Sequence, residues 1–416
     1  MLDNIPVWAL PPNWAADVHE NLSWLTDVLA SPTGVEQRRE LRLSPRVTYE
    51  WSSQAVREER TQTDLYLMAW GDQDWYVPMW PYVTVLTATA TNGDASVFAP
   101  VIGRQFEAGD AALLYHDMFK YELVEIDAVN DGHIVLTNGL QTTWPKGTKL
   151  LPVRRCFLTD QPSFSRINDG IWSGQVRFQL RGVNDYEEVV EDDYMGYPVL
   201  KLPPDEGQTM TFAYTRNTLR LDNDTGVVLN ADQALDAFPV QQHSFFLHGV
   251  DEKIAFKNFL YSLRGRQKAL WIPTFYIDFE VTSPIDVNDA TFDVRMCGYT
   301  AMGGPASGRR FVRFEMRDGT NVYRRITASQ VVSTSVERIT VNEVFHAAIN
   351  PDAVLRVSFM AIARMDQDAV DITHKTSIDG VAIALLSFHS LPVSFLASGW
   401  GFGWGANYGG LNVGDV

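Results

Sequence analysis

The feature that most constrains this chain is a period of two, cut at short intervals by tight-turn residues. Gly109-Asp110 leads into AALLYH, and YELVEIDAV ends at Asn130-Asp131-Gly132. HIVLT follows, and Trp144-Pro145-Lys146-Gly147-Thr148 precedes KLLPVRRCFL. Alternation places successive side chains on opposite faces of a strand, and Gly, Asn, Asp and Pro supply the reversals between strands. This spacing predicts about five short strands over residues 100–160, arranged as a small β-barrel. The same grammar recurs in LRLSPRVTYEWSS, in the Thr/Val/Ala run before Thr91-Asn92-Gly93-Asp94, in IWSGQVRFQLR, and around Asp222-Asn223-Asp224. It returns in RRFVRFEMRD, NVYRRITASQVV, ERITV, VLRVSFMAIARM and IDGVAIALLSFHSL. The expected fold is mainly β, with several small β-barrel or β-sandwich domains and short helices.

Two segments suggest helices. NLSWLTDVLASPTGVEQRRE, at 21–40, mixes a helix-like piece with a turn at Ser31-Pro32-Thr33-Gly34. DEKIAFKNFLYSLRGRQKALW sets Ile254, Phe256, Phe259, Leu260 and Leu263 mostly on one side, with Gly265 placed to end the helix. The second segment echoes the first, so a loose internal duplication is expected, with a helix-strand corner followed by a barrel in each half. The divisions that follow are an extended arm at 1–20, a helix-strand corner and hairpin region at 21–99, and the barrel at 100–160. Beyond them come a β-rich linking domain at 161–240, a second corner at 241–285, a β-rich domain at 286–392 and a Gly/aromatic tail at 393–416.

The chain carries 34 Lys and Arg against 51 Asp and Glu, a formal charge of -17. That balance repels phosphate backbones, and the pairs Arg309-Arg310 and Arg324-Arg325 are too short to reverse it. Two cysteines, Cys156 and Cys297, make no disulfide framework and are expected as buried free thiols. MLDNIPVWALPPNW has neither the basic nor the apolar region of a signal peptide, and no apolar run approaches a membrane span.

The chain shows no GxSxG, HExxH, GxxxxGK or GxGxxG pattern. The histidines are scattered, and the loop beginning at Asp222 lacks the closing glutamate of a calcium loop. No catalytic, cofactor-binding or metal-binding residue is therefore expected, and no enzyme. Aromatic residues are abundant: 12 Trp, 15 Tyr and 22 Phe. Those beside Pro or Gly, among them Trp8, Trp14, Trp400 and Trp404, suit either a core or an interface with another chain.

The segment TDVLASPTGVEQRRELRLSPR, residues 26–46, resembles a segment of tail-tip proteins of long-tailed bacteriophages and prophages, the distal-tail and baseplate kind. The resemblance rests on Trp24, Thr26, Asp27, Gly34, Glu36, Gln37, Arg38, Arg42, Pro45 and Arg46. FLYSLRGRQKALWIPTF looks like its partner through Gly265, Arg266, Trp271 and Pro273. The resemblance implies a virion structural protein made in the bacterial cytoplasm. Such a protein forms a hexameric or trimeric ring that joins the tail tube to hub, fibre or receptor-binding proteins. DNA would be cargo in the channel, not a ligand, and no membrane is involved. Glu36, Arg38, Arg42 and Arg46 are expected to pin the first corner, and Arg264 and Arg266 the second. Two other classes stay open. One is a carbohydrate- or receptor-binding module, which needs solvent-facing tryptophans. The other is a polysaccharide hydrolase, which needs two carboxylates such as Glu188 and Asp192 facing a groove.

Overall fold

A computed structural model of the chain describes residues 5–392 apart from 72, 184–185, 187–191, 235–236 and 377–379. The expected tail at 393–416, with Trp400 and Trp404, and most of the acidic run with Glu188 lie outside the described residues.

The first half of the chain contains β1 (Val18–Ser23), β2 (Thr26–Ala30), β3 (Glu36–Glu40), β4 (Arg46–Val56), α1 (Glu58–Trp70), β5 (Asp74–Pro78) and β6 (Ser96–Phe98). It continues through β7 (Ala111–Asp117), β8 (Lys120–Asn130), β9 (His133–Leu136), β10 (Lys149–Leu158), β11 (Ser163–Arg166) and β12 (Ile171–Leu180). The second half contains β13 (Thr211–Thr215), β14 (Thr218–Leu221), β15 (Leu229–Asp232), β16 (Phe238–His248), α2 (Gly249–Leu263), β17 (Ala269–Pro273) and β18 (Thr291–Arg295). Then come β19 (Phe311–Met316), β20 (Asn321–Val331), β21 (Val336–Val341), β22 (Val354–Met365), β23 (Ala369–His374) and β24 (Val381–Ser390).

The expected set of small barrels and sandwiches is not what these strands build. They are mainly β, but β6 to β10 and β18 to β22 are hydrogen-bonded into one 21-stranded sheet with the other strands except the hairpins β2–β3 and β14–β15, and among the described residues no strand set closes on itself as a separate barrel. The reason lies in β10 and β22. β10 pairs with β5, β7 and β12, and β22 pairs with β17, β19 and β24. Each of these long strands outruns its local partners and extends into the common sheet, so no edge is left to close. The helix expected within 21–40 is also absent. Thr26 to Glu40 form the hairpin β2–β3, because Pro32-Thr33-Gly34, with Gly34 at φ +83°, reverses the chain there. The first helix is α1, whose sequence EERTQTDLYLMAW has little apolar periodicity.

The two halves pair their strands in the same order. In the first, β1 pairs β4, β4 pairs β12, β12 pairs β11 and β10, β10 pairs β5 and β7, β7 pairs β8, β8 pairs β9, and β9 pairs β6. In the second, β13 pairs β16, β16 pairs β24, β24 pairs β23 and β22, β22 pairs β17 and β19, β19 pairs β20, β20 pairs β21, and β21 pairs β18. The hairpins β2–β3 and β14–β15 occupy the same place. Registers agree as well: Thr26 faces Glu40 as Thr218 faces Asp232, and Leu123 faces Leu113 as Tyr323 faces Arg313.

The repeat extends to turns. Thr91 N–H donates to Asp94 Oδ2 at 2.7 Å, and Gly93 N–H, at φ +93°, to the Leu140 carbonyl at 2.8 Å. In the second half Asp286 N–H donates to Asp289 Oδ2 at 3.3 Å, and Asn288 N–H to the Phe345 carbonyl at 2.8 Å. Asn288 has φ +69°, a left-handed conformation that asparagine tolerates better than most residues. Thus the duplication does not begin with a helix-strand corner. Its unit is a strand, a hairpin, a long strand, a helix and then a meander. It even includes an extended lead-in. Val7 bridges Tyr76 in parallel as Val199 bridges Trp271, within IPVWALPPN and YPVLKLPPD.

The halves meet where β1 pairs β23, from Val18 opposite His374 to Ser23 opposite Ala369. The central strip therefore runs β11–β12–β4–β1–β23–β24–β16–β13, with the two repeats head to tail. The largest apolar cluster lies beneath this strip. Smaller ones fill the two meanders, around Ile134 and Trp144 in the first and around Phe292 and Phe314 in the second.

Candidate functional site

The seam between the halves holds several buried charged groups. In β1 the inward positions are Val18, Glu20 and Leu22, all fully covered. Glu20 accepts hydrogen bonds from Tyr49 Oη at 2.8 Å, from Tyr82 Oη at 2.9 Å and from His374 Nε2 at 2.9 Å, and it is ion-paired with Lys257 of α2. Burial alone would raise its pKa. The Lys257 charge and the bond from His374 outweigh burial and hold the carboxyl far below its ordinary range. His374 sits in β23, and burial depresses its pKa despite the carboxylate beside it. Neutral His374 then carries its proton on Nε2, facing Glu20. Lys257 Nζ also lies 4.4 Å from the centre of the Tyr82 ring.

A second polar cluster fastens the hairpin β2–β3 of the first half across the second. Glu36 and Arg364 of β22 form a bidentate pair at 2.6 and 2.7 Å, both buried. Burial opposes the Glu36 charge, and Arg364 outweighs it, so its pKa is lowered. Asp368, in the turn between β22 and β23, accepts Thr26 N–H at 2.8 Å, Thr26 Oγ1 at 2.9 Å and Arg266 N–H at 2.9 Å. Arg266 donates to the Thr26 carbonyl at 2.9 Å, Arg38 to the Arg266 carbonyl at 3.2 Å, and Arg264 pairs with Glu40 at 3.3 Å. Gly265, at φ +69°, makes this corner possible: a Cβ there would stand 2.5 Å from Asp368 Oδ1 and 2.8 Å from Trp24 Cβ. At the hairpin tip Asn217 Nδ2 donates to the Pro32 carbonyl at 3.1 Å, and the Phe238 ring lies against Gly34.

The structure thus brings Glu36, Arg38, Arg264 and Arg266 together, joining two corners that the sequence treats as separate. Arg42 is apart from them, donating to the Ser23 carbonyl at 2.8 Å, and Arg46 and Asp27 are exposed. The described tryptophans are buried or half-buried. Trp8 packs edge-on against Trp75 at 5.4 Å and Phe178 at 5.2 Å, so the N-terminal arm docks on its own sheet. Trp24 meets Tyr261 at 5.5 Å, and Trp271 donates to the Tyr194 carbonyl at 2.7 Å. Trp14 is half-buried against the main core, and among the described residues no tryptophan is exposed.

Sequence reasoning misses Glu20, Lys257, His374, Arg364 and Asp368. One signal for Glu20 was present, a carboxylate at an inward position between Val18 and Leu22 in an alternating strand. Cys156 is buried and free as expected, whereas Cys297 is free but exposed. Among the described residues no cluster of three or more His, Cys, Asp or Glu could hold a metal. An open groove lined by His19, Glu50, Arg177 and Asp371 has its carboxylates engaged, Asp371 by His19 at 2.8 Å and Glu50 by Arg177. No protein-family model matches the chain, and no curated protein is similar to it. What the residues define is a mainly β chain of two head-to-tail repeats locked by buried ion pairs.

Proposed function

We propose that this chain is a structural, non-catalytic subunit of a phage tail tip or baseplate. It acts in a ring that joins the tail tube to hub, fibre or receptor-binding proteins. The observation that carries this reading is the head-to-tail order of the central strip. A repeat that joins its copy by unlike edges leaves one unlike edge at each end, and heterologous joints of this kind generate rings where the rotation closes. The likeness of residues 26–46 and 259–275 to tail-tip proteins adds the setting: a virion, assembled in the bacterial cytoplasm, with DNA passing as cargo past an acidic subunit. Among the described residues the tryptophans are buried or half-buried and give no exposed platform for sugar stacking, so the carbohydrate-binding reading gains nothing from them. The test is the mass of the purified full-length protein in solution, followed by class averages in the electron microscope. Closed rings are expected. A monomer that remains monomeric in the presence of tail tubes overturns the proposal.

A further inference from the structure

The seam inside the chain has a matching half at each outer end. β13 stands in the second repeat where β1 stands in the first, yet it pairs with β16 alone among the described residues. β11 stands where β23 stands, and among the described residues it pairs with β12 alone. In β1, Leu22 is 0% exposed because β23 covers it, whereas Tyr214, its counterpart in β13, is 68% exposed. The hairpins differ in the same way. Glu36 and Arg38 are buried against the second half, while their counterparts Val228 and Asn230 in the second hairpin are half-buried and exposed. The turns that receive them follow suit. Asp368 has a side chain 13% exposed beneath the hairpin, and Asp160, in the matching turn between β10 and β11, is 72% exposed.

Resting on the ring reading above, we propose that a second copy of this chain covers these surfaces. The β13 edge of one copy pairs antiparallel with β11 of the next, in the register of the internal seam, and the β14–β15 hairpin lies over the next copy's Phe157–Asp160 segment. The residues on the two ends are complementary. The seam register Glu20 opposite Ile372 becomes Phe212 opposite Phe164, and His19 opposite Thr373 becomes Thr211 opposite Ser165. The Glu36–Arg364 ion pair becomes Val228 on Phe157, an apolar contact that needs no buried charge. Thr26, which binds Asp368 through N–H and Oγ1, becomes Thr218 facing Asp160. The hairpin tip continues the match. Pro32 and Gly34 rest on Asn217 and Phe238, so Asp224 and Gly226 would rest on the next copy's Leu25 and Arg46, an acidic tip on an exposed arginine. Strand addition at an open edge supplies main-chain hydrogen bonds, and the side chains fix register. Each copy then contributes two repeats to a ring whose every joint is of one kind, alternately within and between chains.

Cross-linking tests the edge. Thr211→Cys and Ser165→Cys are made separately in full-length protein carrying Cys297→Ser, which removes the exposed native thiol. Both positions lie at outward-facing edge sites, and directly opposed residues sit about 4.5–5.5 Å apart between Cα atoms, within disulfide reach. Mild oxidation of the mixture is expected to convert most monomer to a covalent dimer, and the double variant to a ladder ending at the ring's copy number. Each single variant alone should not cross-link. A control pairing Thr327→Cys with Ser165→Cys should give at least tenfold less. Rings seen by microscopy without the Thr211–Ser165 cross-link would overturn the edge pairing and leave the ring reading standing. Monomers without the cross-link, with tail tubes present, would overturn both.

Discussion

The two hairpins share a position and a register but not a chemistry. β2–β3 is fixed to the other half by Glu36, Arg38, Thr26 and their partners, and beside it Glu20 binds Lys257 and His374. At the matching places β13–β15 offers Phe212, Val228 and Asn230. Buried ion pairs are poor sources of net stability compared with apolar packing, but losing one partner is severe. An internal seam forms between tethered segments at high effective concentration, so it has affinity to spare for groups that reject a wrong register. An outer edge must join separate molecules, and apolar contact suits it better. The same backbone thus carries a selective joint inside the chain and an adhesive one at its ends.

The largest break in this comparison should come at Glu20. Glu20→Gln leaves Lys257 buried without a counter-charge, and the expected loss is about 3–5 kcal/mol of unfolding free energy, read by urea denaturation. Phe212→Leu, at the equivalent position, should cost under about 1.5 kcal/mol in the monomer. Equal losses would mean that the seam does not depend on its charges. Next is Arg364→Met, which strands Glu36 and should cost roughly 3 kcal/mol.

The same charges give the seam a pH dependence with a definite sign. The folded-state pKa of Glu20 is depressed, so its contribution is present above the ordinary carboxylate pKa of 4.5 and is lost as pH falls. His374 is also depressed below 6.5, so the unfolded chain takes up its proton first, and stability declines from about pH 6.5 downward. Denaturation midpoints should fall between pH 7 and pH 4, and the slope should flatten in Glu20→Gln below about pH 4.5. A midpoint that rises on acidification would contradict both assignments.

Strands with strict alternation, such as β4, β9 and β24, are legible because one face of each is buried, whereas β7 and β10 are covered on both faces and are legible from their apolar runs between turn residues. α1 is not, since its surface position leaves almost no apolar stripe. The repeat is written plainly in Pro6-Val7 and Leu10-Pro11-Pro12 against Pro198-Val199 and Leu202-Pro203-Pro204, and in Thr33-Gly34-Val35 against Thr225-Gly226-Val227. Matching the helices instead of these segments hides it, because EERTQTDLYLMAW and GVDEKIAFKNFLYSL share almost no pattern. The seam clusters are illegible for another reason. Glu20, Lys257 and His374 lie on three distant elements, and no spacing in one dimension announces a contact made by the fold in three.

The smallest effect separates a docked hairpin from a free one at a single conserved letter of the repeat. Gly34 has φ +83°, and a Cβ there would stand 2.5 Å from the Phe238 ring. Gly226 has no such φ and nothing within 4 Å. Gly34→Ala should therefore destabilise by about 1–3 kcal/mol through strain and the displaced ring. Gly226→Ala in the monomer should be neutral or stabilise by about 0.4–1 kcal/mol, since alanine restricts the unfolded chain without meeting a neighbour. Thermal melts of the two variants give the comparison directly. If Gly226→Ala melts normally but weakens ring formation, the second hairpin is packed only in the assembly, which is the difference between the two joints reduced to one methyl group.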